Sequence, residues 1–126
     1  FVINGWAGYT ASRILASLAT PVGTVSRGDL SILNFAVNFA FPDFLSKGSL
    51  AGIIVGMEPK VTGVSRSLRT QIGKDPDTSI HLEGFYQYQM SDNIAITPGI
   101  ILLTAPDHNS ANSSAVIGAI RTTFTF

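Results

Sequence analysis

The sequence predicts an all-β fold, part of an antiparallel transmembrane β-barrel. Three observations carry the prediction. Apolar and polar residues alternate with a period of two along segments long enough to cross a bilayer. The connections between those segments alternate between long and short. Charge is scarce: 8 Lys and Arg with 8 Asp and Glu make 13% of the 126 residues, about half the roughly 25% usual in soluble domains.

The same composition excludes several function classes. The formal net charge is zero, which argues against nucleic acid as a partner, because displacing counterions from phosphate needs a basic stripe. There is no cysteine, so neither disulfides nor thiolate metal sites are available. A membrane helix needs about 20 consecutive apolar residues. The best apolar run here is Ile100–Leu103, closed by Pro98-Gly99 and Pro106-Asp107, so strands are the only means of crossing. The opening Phe1-Val2-Ile3-Asn4-Gly5-Trp6 has neither the basic start nor the apolar core of a signal peptide. It reads as the middle of a strand. Residues 1–126 are therefore expected to be one portion of a barrel domain in a longer chain.

Six strands are predicted, each of the ~9–11 residues or more that a tilted strand needs to span a bilayer. The first, Phe1–Tyr9, alternates weakly. The connection Thr10–Gly28 is long, with a helical look around Ser12–Ala19. In the second strand, Asp29–Phe41, Leu33, Phe35, Val37, Phe39 and Phe41 share one face, and Asn34, Ala36, Asn38 and Ala40 the other. A short turn, Pro42–Gly48, leads to the third strand, Ser49–Glu58, which is apolar on both faces. The connection Pro59–Thr78 is long and carries Lys60, Arg66, Arg69 and Lys74. In the fourth strand, Ser79–Met90, Ile80, Leu82, Gly84, Tyr86, Tyr88 and Met90 oppose His81, Glu83, Phe85, Gln87 and Gln89. The tight turn Ser91-Asp92-Asn93 leads to the fifth strand, Ile94–Thr104, again apolar on both faces. A polar stretch, Ala105–Ser114, precedes the sixth, Ala115–Phe126. There Val116, Gly118, Ile120, Thr122, Phe124 and Phe126 oppose Ile117, Ala119, Arg121, Thr123 and Thr125. Long connections at one end and short turns at the other are the habit of outer-membrane barrels.

The face assignment yields candidate residues. Asn34, Asn38, His81, Glu83, Gln87, Gln89, Arg121 and Thr123 are expected to line an aqueous interior. Leu33, Phe35, Val37, Phe39, Ile80, Leu82, Tyr86, Tyr88, Val116, Ile120 and Phe124 are expected to face lipid. Tyr86, Tyr88, Phe41, Phe44, Phe124 and Phe126 cluster at the short-turn ends, as the aromatic girdles of such barrels do. The terminal strand ends on Phe124-Thr125-Phe126, a pattern that bacterial barrel-insertion machinery reads. Phe124 and Phe126 are the expected insertion signal.

No catalytic, cofactor-binding or metal site is expected. His81 and Glu83 share a strand face, but a metal pair needs further ligands. Asp75 and Asp77 with Asp107 and His108 have the chemistry of a loop calcium site, although solvated loop charge accounts for them more simply. The nucleophile elbow, the phosphate-binding loop and the dinucleotide glycine motif are all absent from the sequence. A soluble β-sandwich or small barrel that binds a ligand is the alternative to a channel. A non-conducting outer-membrane barrel that anchors to the wall is a second.

Specific stretches resemble a known family. They are Phe41–Gly52 followed by Val55–Val61, Asp75–Glu83 with Phe85–Gln89, and Ser91–Gly99 through Leu103–Asn109 to Arg121–Phe126. They are similar to the carbohydrate-selective (OprB-like) domain of cyanobacterial outer-membrane porins, some of which are called iron-uptake porins. The resemblance is strong over the last two thirds of the chain and loose over the first 40 residues. It implies passive diffusion of small hydrophilic solutes, sugars or inorganic ions including iron species, across a cyanobacterial outer membrane. It implies outer-membrane lipid and the insertion machinery as partners. The oligomeric state, with a homotrimer as one option, stays open. Water-filled porin barrels have ~16–18 strands, so six strands are expected to be the C-terminal part of a barrel of about 16.

Overall fold

The computed structural model describes all 126 residues, Phe1–Phe126. Six long strands form one antiparallel sheet: β1 (Val2–Ile14), β4 (Gly28–Pro42), β5 (Leu50–Val64), β6 (His81–Ser91), β7 (Ile94–Leu103) and β8 (Ala115–Phe124). A small hairpin, β2 (Leu18–Thr20) with β3 (Gly23–Val25), sits in the β1–β4 connection. The sheet is an open meander in the order β1-β4-β5-β6-β7-β8, with β1 and β8 at its edges. No second sheet packs on it, so it lacks the paired layers of the sandwich alternative.

All six predicted strands are present, and two run five or six residues past their expected ends. The first runs on to Ile14 because Thr10–Ile14 pairs with Gly28–Ile32. The helical look at Ser12–Ala19 is therefore overturned: cross-strand pairing outweighs a weak local preference. The third strand does not stop at Glu58. It passes Pro59 and ends at Val64, with register shifts against β4 between Leu33 and Phe35 and between Ser31 and Ile32. Proline cannot donate to the ladder, and a bulge beside it removes the need. Lys60 consequently lies in β5, not in the loop, and bonds the Thr78 hydroxyl at 2.6 Å. The connection that remains runs over residues 65–80, with a short 3-10 turn at Arg66–Leu68.

The long connections, residues 15–27, 65–80 and 104–114, all lie at one end of the sheet. The turns Asp43–Ser49 and Asp92-Asn93 lie at the other. The β4–β5 turn places Asp43 and Leu45 in the left-handed region, at φ 57 and 66. It is held by the Asp43 carboxylate accepting from the Gly48 amide (2.7 Å) and by the Ser49 hydroxyl donating to Phe44 and Ser46 carbonyls.

Only 9 of 126 residues are buried. The apolar ones are Met57, Val64, Leu68 and Ala95. A single layer has no interior to fill, so its two faces must find their environments elsewhere.

Candidate functional site

Antiparallel partners share a face, so the register assigns both faces of the sheet. One row runs Asn4–Asn38–Ile54–Glu83–Ile101–Ile117. The next runs Trp6–Ala36–Gly56–His81–Leu103–Ala115. Gln87 shares this face through Leu50, Gln89 through Ala95 and Thr123, and Arg121 through Thr97. All eight predicted interior residues therefore lie on one face. The opposite face carries the row Gly5–Val37–Val55–Leu82–Leu102–Val116. The predicted lipid-facing residues lie on it, except that Ile80 precedes β6 and is held by Thr104, whose amide donates to the Ile80 carbonyl and whose hydroxyl accepts from the Ile80 amide, each at 3.0 Å. The two strands that pattern left unassigned now have sides. Ile53, Val55 and Met57 of β5 face with Val37, as do Ile96, Ile100 and Leu102 of β7.

The polar face holds local pairs rather than a network. Asn38 Nδ2 donates to Asn4 Oδ1 at 2.6 Å. His81 Nε2 and Glu83 Oε2 lie 3.2 Å apart, each side chain about 30% exposed. Near the short-turn end a concavity of about 560 Å³ is lined by Glu83, Phe85, Gln87, Thr97 and Arg121, among others. Pro98 sits beside it. The β6–β7 ladder pairs Phe85 with Gly99 and resumes only at Tyr88 with Ile96, a gap that a residue without an N–H accommodates. The concavity thus presents one carboxylate, one guanidinium and several amide and hydroxyl groups.

Sequence reasoning missed Asn4, Trp6 and Thr97 on this face. Trp6 is 55% exposed and lies in a shallow recess with Asn34, Ala36, Gly56 and His81. The weak alternation of the first strand hid its facing; pairing with β4 reveals it. Thr97 sits in a strand apolar on both sides, where only its paired Arg121 marks the polar face.

At the short-turn end aromatic rings form a chain. Centroids are 6.1 Å apart for Phe1 and Phe41, 6.2 Å for Phe41 and Phe44, and 6.5 Å for Phe44 and Tyr86. The Tyr86 hydroxyl donates to the Phe44 carbonyl at 3.0 Å. β8 ends at Phe124, and Thr125 continues by bonding Asn93 in both directions, at 2.9 and 2.7 Å. Phe124 and Phe126 are exposed.

The long-loop end is knotted around His108, which is 4% exposed. Its Nδ1 accepts from the Ser79 amide at 2.8 Å, and its carbonyl accepts from the Asp77 amide at 2.8 Å. The fully buried Ser79 donates its hydroxyl to the Thr104 carbonyl at 2.8 Å. Asp77 accepts from Ser110 (amide to Oδ2, 2.8 Å), and the Ser110 hydroxyl and amide hold its carboxyl below the usual carboxylate range. Ala105, Asp107 and His108 are left-handed, at about 1–3 kcal/mol each, which these bonds offset. Glu58, Asp75, Asp107 and His108 line a recess there. No group of three or more His, Asp or Glu side chains is arranged to hold a metal ion.

A one-layer sheet with one apolar face, one mixed polar face, an aromatic rim and polar loops at the far end is the geometry of a barrel wall. The model of the carbohydrate-selective porin (OprB) family matches residues 3–126. The chain belongs to the OprB family. It is 39% identical over 110 residues to an uncharacterized protein of the cyanobacterium Nostoc sp. strain PCC 7120, covering 87% of this chain and 18% of that protein. It is 37% identical over 133 residues to an uncharacterized protein of Synechocystis sp. strain PCC 6803, covering 98% of this chain and 24% of that protein. The chain thus spans about a fifth of the length of these relatives. No solved structure matches it. The family is one of carbohydrate-selective porins.

Proposed function

We propose that residues 1–126 form the C-terminal part of a porin barrel of about 16 strands. Through that barrel small hydrophilic solutes, sugars or inorganic ions including iron species, diffuse passively across the outer membrane. The observation that carries this reading is the register. It puts Asn34, Asn38, His81, Glu83, Gln87, Gln89, Arg121 and Thr123 on one face and an unbroken aliphatic row on the other. On this reading the polar face lines the lumen and spares a solute its dehydration cost, while Glu83 and Arg121 bias which ions enter. The apolar face meets lipid, and edges β1 and β8 pair with strands supplied by the rest of the chain. Phe124 and Phe126 serve as the insertion signal.

The full-length protein reconstituted in planar bilayers tests the proposal. Stable ohmic conductance that sugars partly block is the expected result. Insertion without conductance overturns the channel and leaves a wall-anchoring barrel. Expression as a soluble monomer without detergent overturns the membrane reading altogether.

A further inference from the structure

We infer that Lys60 holds an anionic lipid headgroup, through its phosphate, at the long-loop rim of the apolar face. The inference rests on the proposal that this face meets lipid. A bulge puts the cation there. Phe35 pairs with Met57 and Leu33 with Lys60, so two steps along β4 match three along β5. In an unbroken strand residues 58 and 60 would share a face. The extra residue separates them, since a bulge re-aims the side chains that follow it. Glu58 lines the recess of Trp6, Asn34 and His81 on the polar face. Lys60 takes its place opposite Leu33 on the other.

That position is the step where the apolar face turns polar. The β1–β4 register is unbroken, and along it Leu33 faces Tyr9, Ser31 faces Ala11, and Asp29 faces Arg13. On the short-turn side of Leu33 come Phe35, Val37 and Phe39; on the long-loop side come a hydroxyl and the Arg13–Asp29 pair at 2.6 Å. Both polar-ended side chains of the Leu33 row reach toward the long loops. The Tyr9 hydroxyl donates to Ser31 Oγ at 3.0 Å, and Lys60 Nζ donates to Thr78 Oγ1 at 2.6 Å. An apolar stem in hydrocarbon with a polar tip among headgroups is how such residues sit at a bilayer boundary. Leu33 lies about 27 Å along β4 from Phe41. At the usual strand tilt that is roughly 20 Å of bilayer, so the reach of Lys60 clears an apolar band of about 25 Å.

The chain supplies no anion for this cation. Its ion pairs are Arg13–Asp29 and His81–Glu83. Asp77 feels the Lys60 charge as the weakest of its influences, and Ser110 occupies its carboxylate. The hydrogen-bond partner of Lys60 is the neutral Thr78 hydroxyl, which leaves two ammonium hydrogens free. A phosphate oxygen at the headgroup level supplies both the charge and the acceptors, and lysine binds phosphate as a point charge.

The test uses the full-length protein in nanodiscs of phosphatidylcholine doped with phosphatidylglycerol. Native mass spectrometry counts the lipids of each kind that stay on the released protein. The wild type is expected to retain phosphatidylglycerol over phosphatidylcholine. Lys60→Gln, which can still donate to Thr78, should cut that preference about fivefold, the worth of one cation at an anionic surface. Lys60→Arg should keep it. Lys47→Gln, in the turn at the other end, should leave it unchanged, and added inorganic phosphate should not displace the lipid. A wild type without the preference overturns the inference. So does a Lys60→Gln protein that keeps it, or a Lys47→Gln protein that loses as much. Displacement by inorganic phosphate would make this a free-anion site and overturns the lipid as its occupant. Co-flotation with pure phosphatidylcholine liposomes is read first. A protein that stays out of the bilayer overturns the membrane reading and this site with it; one that inserts without preferring phosphatidylglycerol overturns the headgroup site alone.

Discussion

The two faces of this sheet are built by the same six strands and obey different rules. From Phe35 to Phe41, and along the rows that continue across β5 to β8, the apolar face carries no charge, and its polar groups are Thr122 and the hydroxyls of Tyr86 and Tyr88 toward the short-turn end; the charge of Lys60 enters only opposite Leu33, toward the long loops. The other face mixes Asn38 with Ile54, and Glu83 with Ile101. On the proposed reading the strict face is the one for which hydrocarbon is the solvent, since an unsatisfied polar group there has no recourse. The tolerant face needs only enough polar groups to keep water in place. On that reading the strict face specifies the wall and the tolerant face tunes what passes along it.

The largest expected effect breaks the strict face. Val37→Lys or Ile120→Lys should destabilise the full-length barrel by about 2–4 kcal/mol if the position is near the bilayer midplane. On the tolerant face, Asn38→Lys or Thr123→Lys should stay within about 0.5 kcal/mol. Urea unfolding from liposomes measures both pairs. Equal losses on the two faces would mean the facing is assigned backwards or that neither face meets lipid.

A smaller effect marks the limit of tolerance on the polar face. Gly52 lies directly opposite Phe85, and a Cβ on Gly52 would run into the Phe85 ring. Gly52→Val should cost about 1–3 kcal/mol, as overpacking does. Adding Phe85→Ala should recover most of it in the same unfolding assay. If the double variant is no better than the single one, the ring is not what the glycine makes room for.

Selectivity comes next. A unit charge about 6 Å from an ion's path in water is worth about 0.7 kcal/mol, or roughly threefold in local ion concentration. Arg121→Gln should shift the full-length channel toward cations by about that factor. Glu83→Gln should shift it toward anions, with unfolding unchanged in both. Reversal potentials across a salt gradient report the sign. Shifts of one sign in both variants would place one of these side chains outside the lumen.

Much of this was legible in the sequence, for a reason that also explains what was not. Period-two alternation in β4, β6 and β8 reports facing directly, because one side of each strand is apolar. β5 and β7 carry Ile and Leu on both sides, so only their paired neighbours reveal which side is which. Pro59 looked like a strand end because proline removes a ladder donor; a bulge absorbs it, which depends on β4. His108 meets Ser79 across 29 residues of chain, a contact between two loops that no local pattern records.

The smallest effect separates the wall from its loops. From Phe35 to Phe41 and along the rows across β5 to β8 the apolar face carries no carboxylate and no histidine, so acid acts on this part of the sheet through its other face and the loops. Asp77 is the loop group with a defined sign. Its folded carboxyl is held below 3.8 by the Ser110 hydroxyl and amide. A depressed carboxylate contributes stability that is fully present above its unfolded value. That contribution is lost as pH falls through the folded value. The tie between Asp77 and Ser110 should therefore persist through mild acid and fail only below about pH 3.8. Asp77→Asn should weaken Ser110 amide protection at pH 7 and leave it unchanged relative to wild type once pH is well below that value. Because Asp77 is half-buried in the loops and outside the strands, the loss should stay local, with the strand amides of β6 and β7 as protected as before. Hydrogen exchange read residue by residue distinguishes the cases. Loss of strand protection together with Ser110 would mean that the loop knot, and not the two faces, holds this part of the wall in register.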